Sequence, residues 1–324
     1  MATGMRYTRR EFGWLALAAV PAAHVLDTST ATAFQPKPDS KVRGVSIGMN
    51  VPYNFGGRTA PVDEIIDNCV KLGVSAVELR TQPVEAFLGV PANVVVTQRG
   101  GRGQTPPTPE EEAARRANAD ELRKWRLAVP MDKVKALRKT FEGAGVFIEI
   151  VKVDGIFAMA DDVVDYQFTL AKTLGARAIS TEIAVPETKR LGEFADKHKL
   201  MVGYHGHAST GPADFETAFT YAAHNGANLD IGHFVAGQNA SPVPFMKQHH
   251  ARITRIHVKD RKMNNGPNVP FGQGDTPIRE VLQLIRDNKW NIQATIEFEY
   301  PIPEGSDRMA ELKKCVDYCR AALV

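Results

Sequence analysis

"GMNVPYNFGG" (48–57) spans the end of the first β-branched run of the chain, "VRGVSIGMNV" (42–51), and the Pro- and Gly-containing residues after it. An open sheet that binds a dinucleotide carries G-x-G-x-x-G at this point, so that the pyrophosphate meets the next helix N-terminus. This stretch does not have that spacing. The absence decides between two folds, because strand-like and helix-like segments alternate from here to the end of the chain. "VDEIIDNCVKLG" (62–73) has Val62, Ile65, Ile66, Cys69 and Val70 at helical spacing, with Gly73 as the stop. "VSAVELR" (74–80) is the next strand, and "MDKVKALRKTFEGAG" precedes "GVFIEIVKV" (145–153). "DDVVDYQFTLAKTLG" (161–175) leads to "ARAISTEI" (176–183), and "ETKRLGEFADKHK" to "LMVGYHGHAS" (200–209). "PADFETAFTYAAHNG" leads to "ANLDIGH" (227–233), "PVPFMKQHHAR" to "ITRIHVKD" (253–260), and "IREVLQLIRDN" to "IQATIEFEY" (292–300). "SDRMAELKKCVDYCRAALV" closes the chain as a helix. Strict alternation means a parallel sheet, either doubly wound or closed. Eight units in about 290 residues fit a single-domain α/β fold, the (β/α)8 TIM barrel, over residues 42–324.

One segment breaks the rhythm. Residues 91–130 form an insertion after strand two, first a Gly/Pro/Arg-rich loop and then a charged helix carrying Trp125. In a barrel it lies at the C-terminal face, where it is a lid, an oligomer contact or a solvated insertion; Arg99 and Arg102 are within its loop. At the other end, "YTRREFGWLALAAV" (7–20) pairs Arg9 and Arg10 with an apolar run too short to span a bilayer, which takes about 20 residues. Residues 1–33 therefore read as a twin-arginine signal, with cleavage after Ala31-Thr32-Ala33, a linker over 34–41 and a periplasmic or exported address; the alternative is an N-terminal helix that stays. No other stretch reads as a membrane anchor. The chain carries +3, and about +2 without residues 1–33, which is no electrostatic footprint for nucleic acid. Cys69, Cys315 and Cys319 are an odd set; two of them sit one helical turn apart, which suits a disulfide poorly. All three read as buried or free thiols.

Catalytic groups of such barrels sit at the C-terminal ends of strands. Here strand four ends in Glu182, strand five in His205 and His207, and strand six in Asp230, with His233 three residues on. Strand seven carries His257, Lys259 and Asp260, and strand eight Glu297 and Glu299. Residues two apart in a strand share a face, so these side chains converge on the barrel mouth. Carboxylates gathered there would repel. A divalent cation resolves that, and imidazole with carboxylate is a ligand set for Mn, Co, Zn, Fe or Ni. His198, His224, His249 and His250 fall in helices or their ends and read as surface residues.

"GYHGH", "LDIGH", "IHVKD", "PFGQGDTPI" and "IEFEY", in that order and spacing, resemble the sugar phosphate isomerase/epimerase family with its xylose isomerase-like barrel. The resemblance covers nearly all of the chain after the signal, most clearly residues 176–300. It implies one divalent metal, Mn ahead of Co, Zn or Fe, held by His205, Asp230, His257 and Glu297. It also places His233 near the substrate. Many relatives have Glu where this chain has His205. In the ketose epimerases the two Glu ligands double as the acid/base pair, so here Glu182 is the candidate to take over as ligand or base.

A site of this kind suits proton abstraction next to a carbonyl. Glu297 and Glu182 are the acid/base candidates, His207 and Lys259 assist, and His233 and Glu299 face the substrate. Export favours an unphosphorylated sugar or keto-sugar over a sugar phosphate. The same barrel serves 3-keto-glycoside lyases and hydratases, metal-dependent endonucleases and, without its ligands, sugar-binding proteins. The expected partners are a small sugar and the twin-arginine machinery, with homo-oligomers open. Twin-arginine export carries folded proteins, which lets the barrel close and load its metal before it leaves the cytoplasm.

Overall fold

Eight parallel strands close into a ring, each hydrogen-bonded to two neighbours. The structure, a computed structural model, describes residues 37–92, 94 and 108–324. The strands are β1 (Val45–Val51), β2 (Ala76–Arg80), β3 (Phe147–Lys152), β4 (Ala178–Glu182), β5 (Met201–His205), β6 (Asn225–Asp230), β7 (Ile253–Val258) and β8 (Gln293–Ile296). Closure comes from β1, which pairs with β2 through Asn50 and Glu78 and with β8 through Met49 and Ile296. A two-residue strand, Lys41–Val42, adds to β1 in the antiparallel sense. The doubly wound alternative is thereby excluded, and the (β/α)8 reading stands.

Helices form because apolar residues recur on one side of each. In α1 (Val62–Leu72) the buried set is Val62, Ile65, Ile66, Cys69 and Leu72, and Gly73 ends the helix at φ 68°, where a side chain would strain. The others are α2 (Thr81–Leu88), α3 (Pro109–Ala128), α4 (Met131–Gly143), α5 (Asp161–Leu174), α6 (Thr188–His198), α7 (Pro212–Tyr221), α8 (Ile231–Gln238), α9 (Val243–His249), α10 (Ile278–Asp287) and α11 (Arg308–Leu323). Of these, α2 is not evident from the sequence. The insertion helix α3 starts at a capping box: Glu111 N–H donates to Thr108 Oγ1 at 3.2 Å, and Thr108 N–H to Glu111 Oε2 at 2.9 Å. The three cysteines are free and buried. Among the described residues no helix is long and apolar enough to cross a membrane. The signal 1–33, the start of the linker and the loop with Arg99 and Arg102 lie outside the described residues.

Three strands stop earlier than their β-branched runs, and this corrects the shared-face reasoning for their ends. β8 ends at Ile296 because Asn54 replaces a strand partner: its Nδ2 donates to Ile296 O at 2.7 Å and its Oδ1 accepts from Phe298 N–H at 3.0 Å. β5 ends at His205 because a turn takes the next backbone groups, Thr210 N–H to His207 O at 2.8 Å and His207 N–H to Thr210 Oγ1 at 3.2 Å. Past β7, Asp260 turns to the following loop and accepts from the N–H groups of Gly272, Gly274 and Thr276. Glu297, Glu299, His207 and Lys259 therefore stand on chain just beyond the strands.

Candidate active site

The barrel interior is polar towards its C-terminal end. Arg255 on β7, Glu78 on β2 and Ser180 on β4 are all 0 % exposed. β7 and β2 are not neighbours in the ring, so the ion pair between Arg255 and Glu78 crosses the barrel; the second Nη2 bond of Arg255 goes to Ser180 Oγ at 2.8 Å. One step further up β7, His257 lies between two carboxylates. Its Nε2 is 2.8 Å from Glu78 Oε2 and its Nδ1 is 3.1 Å from Glu297 Oε2.

Above this layer His205, Asp230, His257 and Glu297 meet. Each is buried, and one ligand atom from each lies within 4.8 Å of the others. Asp230 is divided between two tasks. Its Oδ1 caps α8 by accepting from His233 N–H at 2.7 Å, while Oδ2 points inward without a hydrogen bond and with Lys259 Nζ 3.0 Å away. Glu297 is fixed through Oε1 by Asn50 Nδ2 at 2.9 Å, which leaves Oε2 for the centre. Lys259 Nζ lies among Glu297 Oε2 (2.7 Å), Glu299 Oε2 (2.6 Å) and His233 Nε2 (3.2 Å). Tyr53 donates its hydroxyl to Glu299 Oε1 at 2.9 Å. His233 sits in the first turn of α8, its Nδ1 2.6 Å from Arg261 Nη1.

The rim is formed by Glu182 and His207. Glu182 Oε1 accepts from Lys152 Nζ at 2.5 Å and Oε2 is 2.9 Å from His207 Nε2; both side chains are half-exposed or more. His205, His207 and His233 also lie close enough to present ligand atoms within 4.8 Å of one another. Every residue that the sequence points to is thus at the mouth except Asp260, which serves the loop after β7. Glu78, Lys152, Asn50, Tyr53 and Arg261 are residues that sequence reasoning does not reach. A charged residue inside an apolar strand is the signal that could find Glu78 in "AVELR" and Arg255 in "ITRIHV", since the interior of a small barrel is packed with side chains.

Comparison with known proteins agrees with this architecture. The family described as "Xylose isomerase-like TIM barrel" matches residues 175–321. The chain folds as a (β/α)8 TIM barrel, and its residues 175–321 match that family. Among solved structures it is similar to a probable 3-DHS dehydratase, AsbF, from Bacillus anthracis, at 14% identity and TM-score 0.58 over 84% of this chain and 98% of that one. It is also similar to D-psicose 3-epimerase from Clostridium cellulolyticum H10, at 12% identity and TM-score 0.56 over 86% and 99% of the two chains. A third likeness is to an L-ribulose 3-epimerase, at 11% identity and TM-score 0.54 over 86% and 94%. These identities speak to the fold alone. No curated protein sequence matches.

The electrostatics of the barrel mouth follow from burial and pairing. Burial pushes the Glu78 carboxyl up, but Arg255 and His257 outweigh it and bring it down to about 2. Burial opposes the charge on Glu297 too, and His257 with Lys259 still holds it well below the carboxylate range. Burial opposes the charge on Lys259, but Asp230, Glu297 and Glu299 overcome it and raise the group, so it stays an ammonium. Burial lowers His205 well below its ordinary value, so its imidazole is neutral near pH 7. Burial lowers His233 as well. Burial works against the Glu182 carboxylate, yet Lys152 and His205 outweigh it and lower the group. His207 is raised, first by its hydrogen bond to Glu182.

These residues suit a divalent cation. Glu78, Glu182, Asp230, Glu297 and Glu299 are set against Lys152, Arg255 and Lys259, which leaves two carboxylates to be balanced by protons on His257, raised against burial by Glu297 and Glu78, and on His207, or by a cation in their place. Asp230 Oδ2 is a buried acceptor without a hydrogen bond, and the neutral imidazole and carboxylate donors match a first-row metal.

Proposed function

We propose that this protein is a divalent-metal-dependent isomerase or epimerase of an unphosphorylated sugar or keto-sugar, working by proton abstraction next to a carbonyl. The observation that carries the reading is the meeting of His205, Asp230, His257 and Glu297 with a Glu182–His207 pair on the adjacent rim. His205, Asp230, His257 and Glu297 would hold the metal, with Mn favoured. When bound, such an ion polarises a carbonyl and stabilises the charge that develops on its oxygen.

In this proposal Glu182 and His207 exchange the roles that the sequence suggests for them. A carboxylate tied to Lys152 and held far down is a poor proton acceptor, because an effective base has a pKa near the working pH. His207 is the better proton carrier. It is exposed, its affinity for a proton is raised, and Glu182 orients its Nε2. In this reading His207 moves the proton at the substrate carbon, Glu182 positions it, and Glu297 faces the other side. Lys259 and Glu299, locked together at 2.6 Å, are placed to hydrogen-bond substrate hydroxyls beside His233.

A second reading keeps the same first step. After proton abstraction a protonated His207 could deliver its proton to the departing glycosidic oxygen, whose bond to carbon breaks as the double bond forms, giving a lyase of the 3-keto-glycoside kind, with a hydratase running the addition of water to that double bond; the likeness to a probable dehydratase supports keeping it in view. Solvent deuterium incorporation into a panel of keto-sugars, followed by NMR, tests both. Exchange next to the carbonyl with an isomerised product supports the first reading, exchange with an unsaturated product supports the second, and no exchange with any keto-sugar contradicts both. The Arg9–Arg10 signal makes the site of action periplasmic in this proposal, with the metal loaded before export.

A further inference from the structure

We infer that Glu78, on the far side of the barrel, is a positioning residue that sets the tautomer of His257 and so makes its Nδ1 available to the metal; the inference rests on the metal reading above. Glu78 is 0 % exposed and both its oxygens are engaged, Oε1 by Arg255 and Oε2 by His257 Nε2 at 2.8 Å. Arginine only donates, and an ionised carboxylate only accepts. The contact with Glu78 therefore requires a hydrogen on Nε2 of His257, so Nδ1, 3.1 Å from Glu297 Oε2 and 3.9 Å from Asp230 Oδ2, is the nitrogen left for a metal once the hydrogen it shares with Glu297 is displaced. A carboxylate behind a ligating histidine is a common way to orient the ring and raise its basicity.

A second buried group points the same way. Asn228 has its Nδ2 3.2 Å from His205 Nδ1 and 3.4 Å from His257 Nε2, while its Oδ1 is buried without a partner. The two ends of an amide have the same shape, and the hydrogen-bond network assigns them. In the reverse orientation the oxygen accepts from Nδ1–H of His205 and shares the Nε2–H of His257 with Glu78, while the end without a partner becomes the amide nitrogen. That orientation leaves Nε2 of His205 as that ring's free donor of a lone pair. Glu78 and Asn228 together thus turn both imidazoles towards one centre.

Glu78→Gln tests this without changing the volume of the side chain. Arg255 must face the new carbonyl, so the amide hydrogens face His257 Nε2 and drive its hydrogen to Nδ1, where the metal should bind. Mn2+ binding to the mature protein is followed by the EPR signal of the free ion, with folding checked by circular dichroism. The expected result is Mn2+ affinity weakened by about 10–100-fold in Glu78→Gln. Glu78→Asp, which keeps an acceptor-only carboxylate, stays closer to the wild type. Equal affinities for wild type and Glu78→Gln overturn the inference and leave the metal reading intact. A wild type that binds no Mn2+ overturns the metal reading and this inference with it. Because Glu78→Gln leaves Arg255 buried without its counter-charge, it can fail to fold. The Zn2+-loaded wild type then decides by 15N NMR of its histidines: a protonated Nε2 on His257 supports the inference, and a protonated Nδ1 overturns it.

Discussion

Glu182 and His207 stand 2.9 Å apart at the rim, and each changes the other's proton affinity. The carboxylate raises His207 above its ordinary 6.5, so His207 carries its proton to higher pH than a free imidazole. A step that needs protonated His207 is lost as pH rises through that raised value. Glu182→Gln removes the charge and leaves only a neutral acceptor for His207, so the alkaline limb of the kcat profile should move to lower pH. A limb that stays in place would show that His207 is not the group being titrated. His207→Asn should lower kcat by roughly 10²–10⁴, the ordinary contribution of one acid/base group, with little change in Mn2+ affinity. Most of these residues can be picked out from the sequence, because they sit at the ends of β-branched runs where a barrel gathers its chemistry. Their roles cannot. Which of Glu182 and His207 moves the proton depends on Lys152, thirty residues away in sequence and 2.5 Å away in space.

At the scale of the elements, the insertion helix α3 is fastened to α2 by an ion pair with very little exposure: Arg126 Nε donates to Glu85 Oε1 at 2.7 Å, with the side chains 8% and 3% exposed. Removing one partner strands the other charge. Arg126→Met should cost about 3–5 kcal/mol in urea unfolding. Adding Glu85→Gln should recover part of it; no recovery would mean that packing, not charge, holds the helix down. The strand and helix alternation is legible in the sequence because the β-branched runs and helical periodicities are strong. Strand ends are not, since they are set by side chains from elsewhere: Asn54 closes off β8, and Thr210 closes off β5. Helix α2 escapes a sequence reading because its eight residues, "TQPVEAFL", carry a proline near the start and come straight after β2. Cys69, Cys315 and Cys319 are thiols away from solvent, as their spacing suggests, and burial pushes the Cys315 thiol up to about 12. Ellman's reagent should leave all three unmodified in the native protein and react with all three in denaturant.

For the whole molecule, the proposed ligands come from β5, β6, β7 and the chain after β8, so they meet only once the ring has closed. Binding at such a centre belongs to the folded state alone and should stabilise it, by about 2.7 kcal/mol at a metal concentration one hundred times Kd. A rise in the unfolding temperature with added Mn2+ in wild type, absent in Asp230→Asn, would express that coupling. The most direct test is the metal content of the purified protein, by elemental analysis, beside His257→Ala. The account predicts close to one equivalent of Mn, Co, Fe or Zn in the wild type and its loss in a folded variant. A wild type that holds no metal after soaking, with its barrel intact, would contradict it.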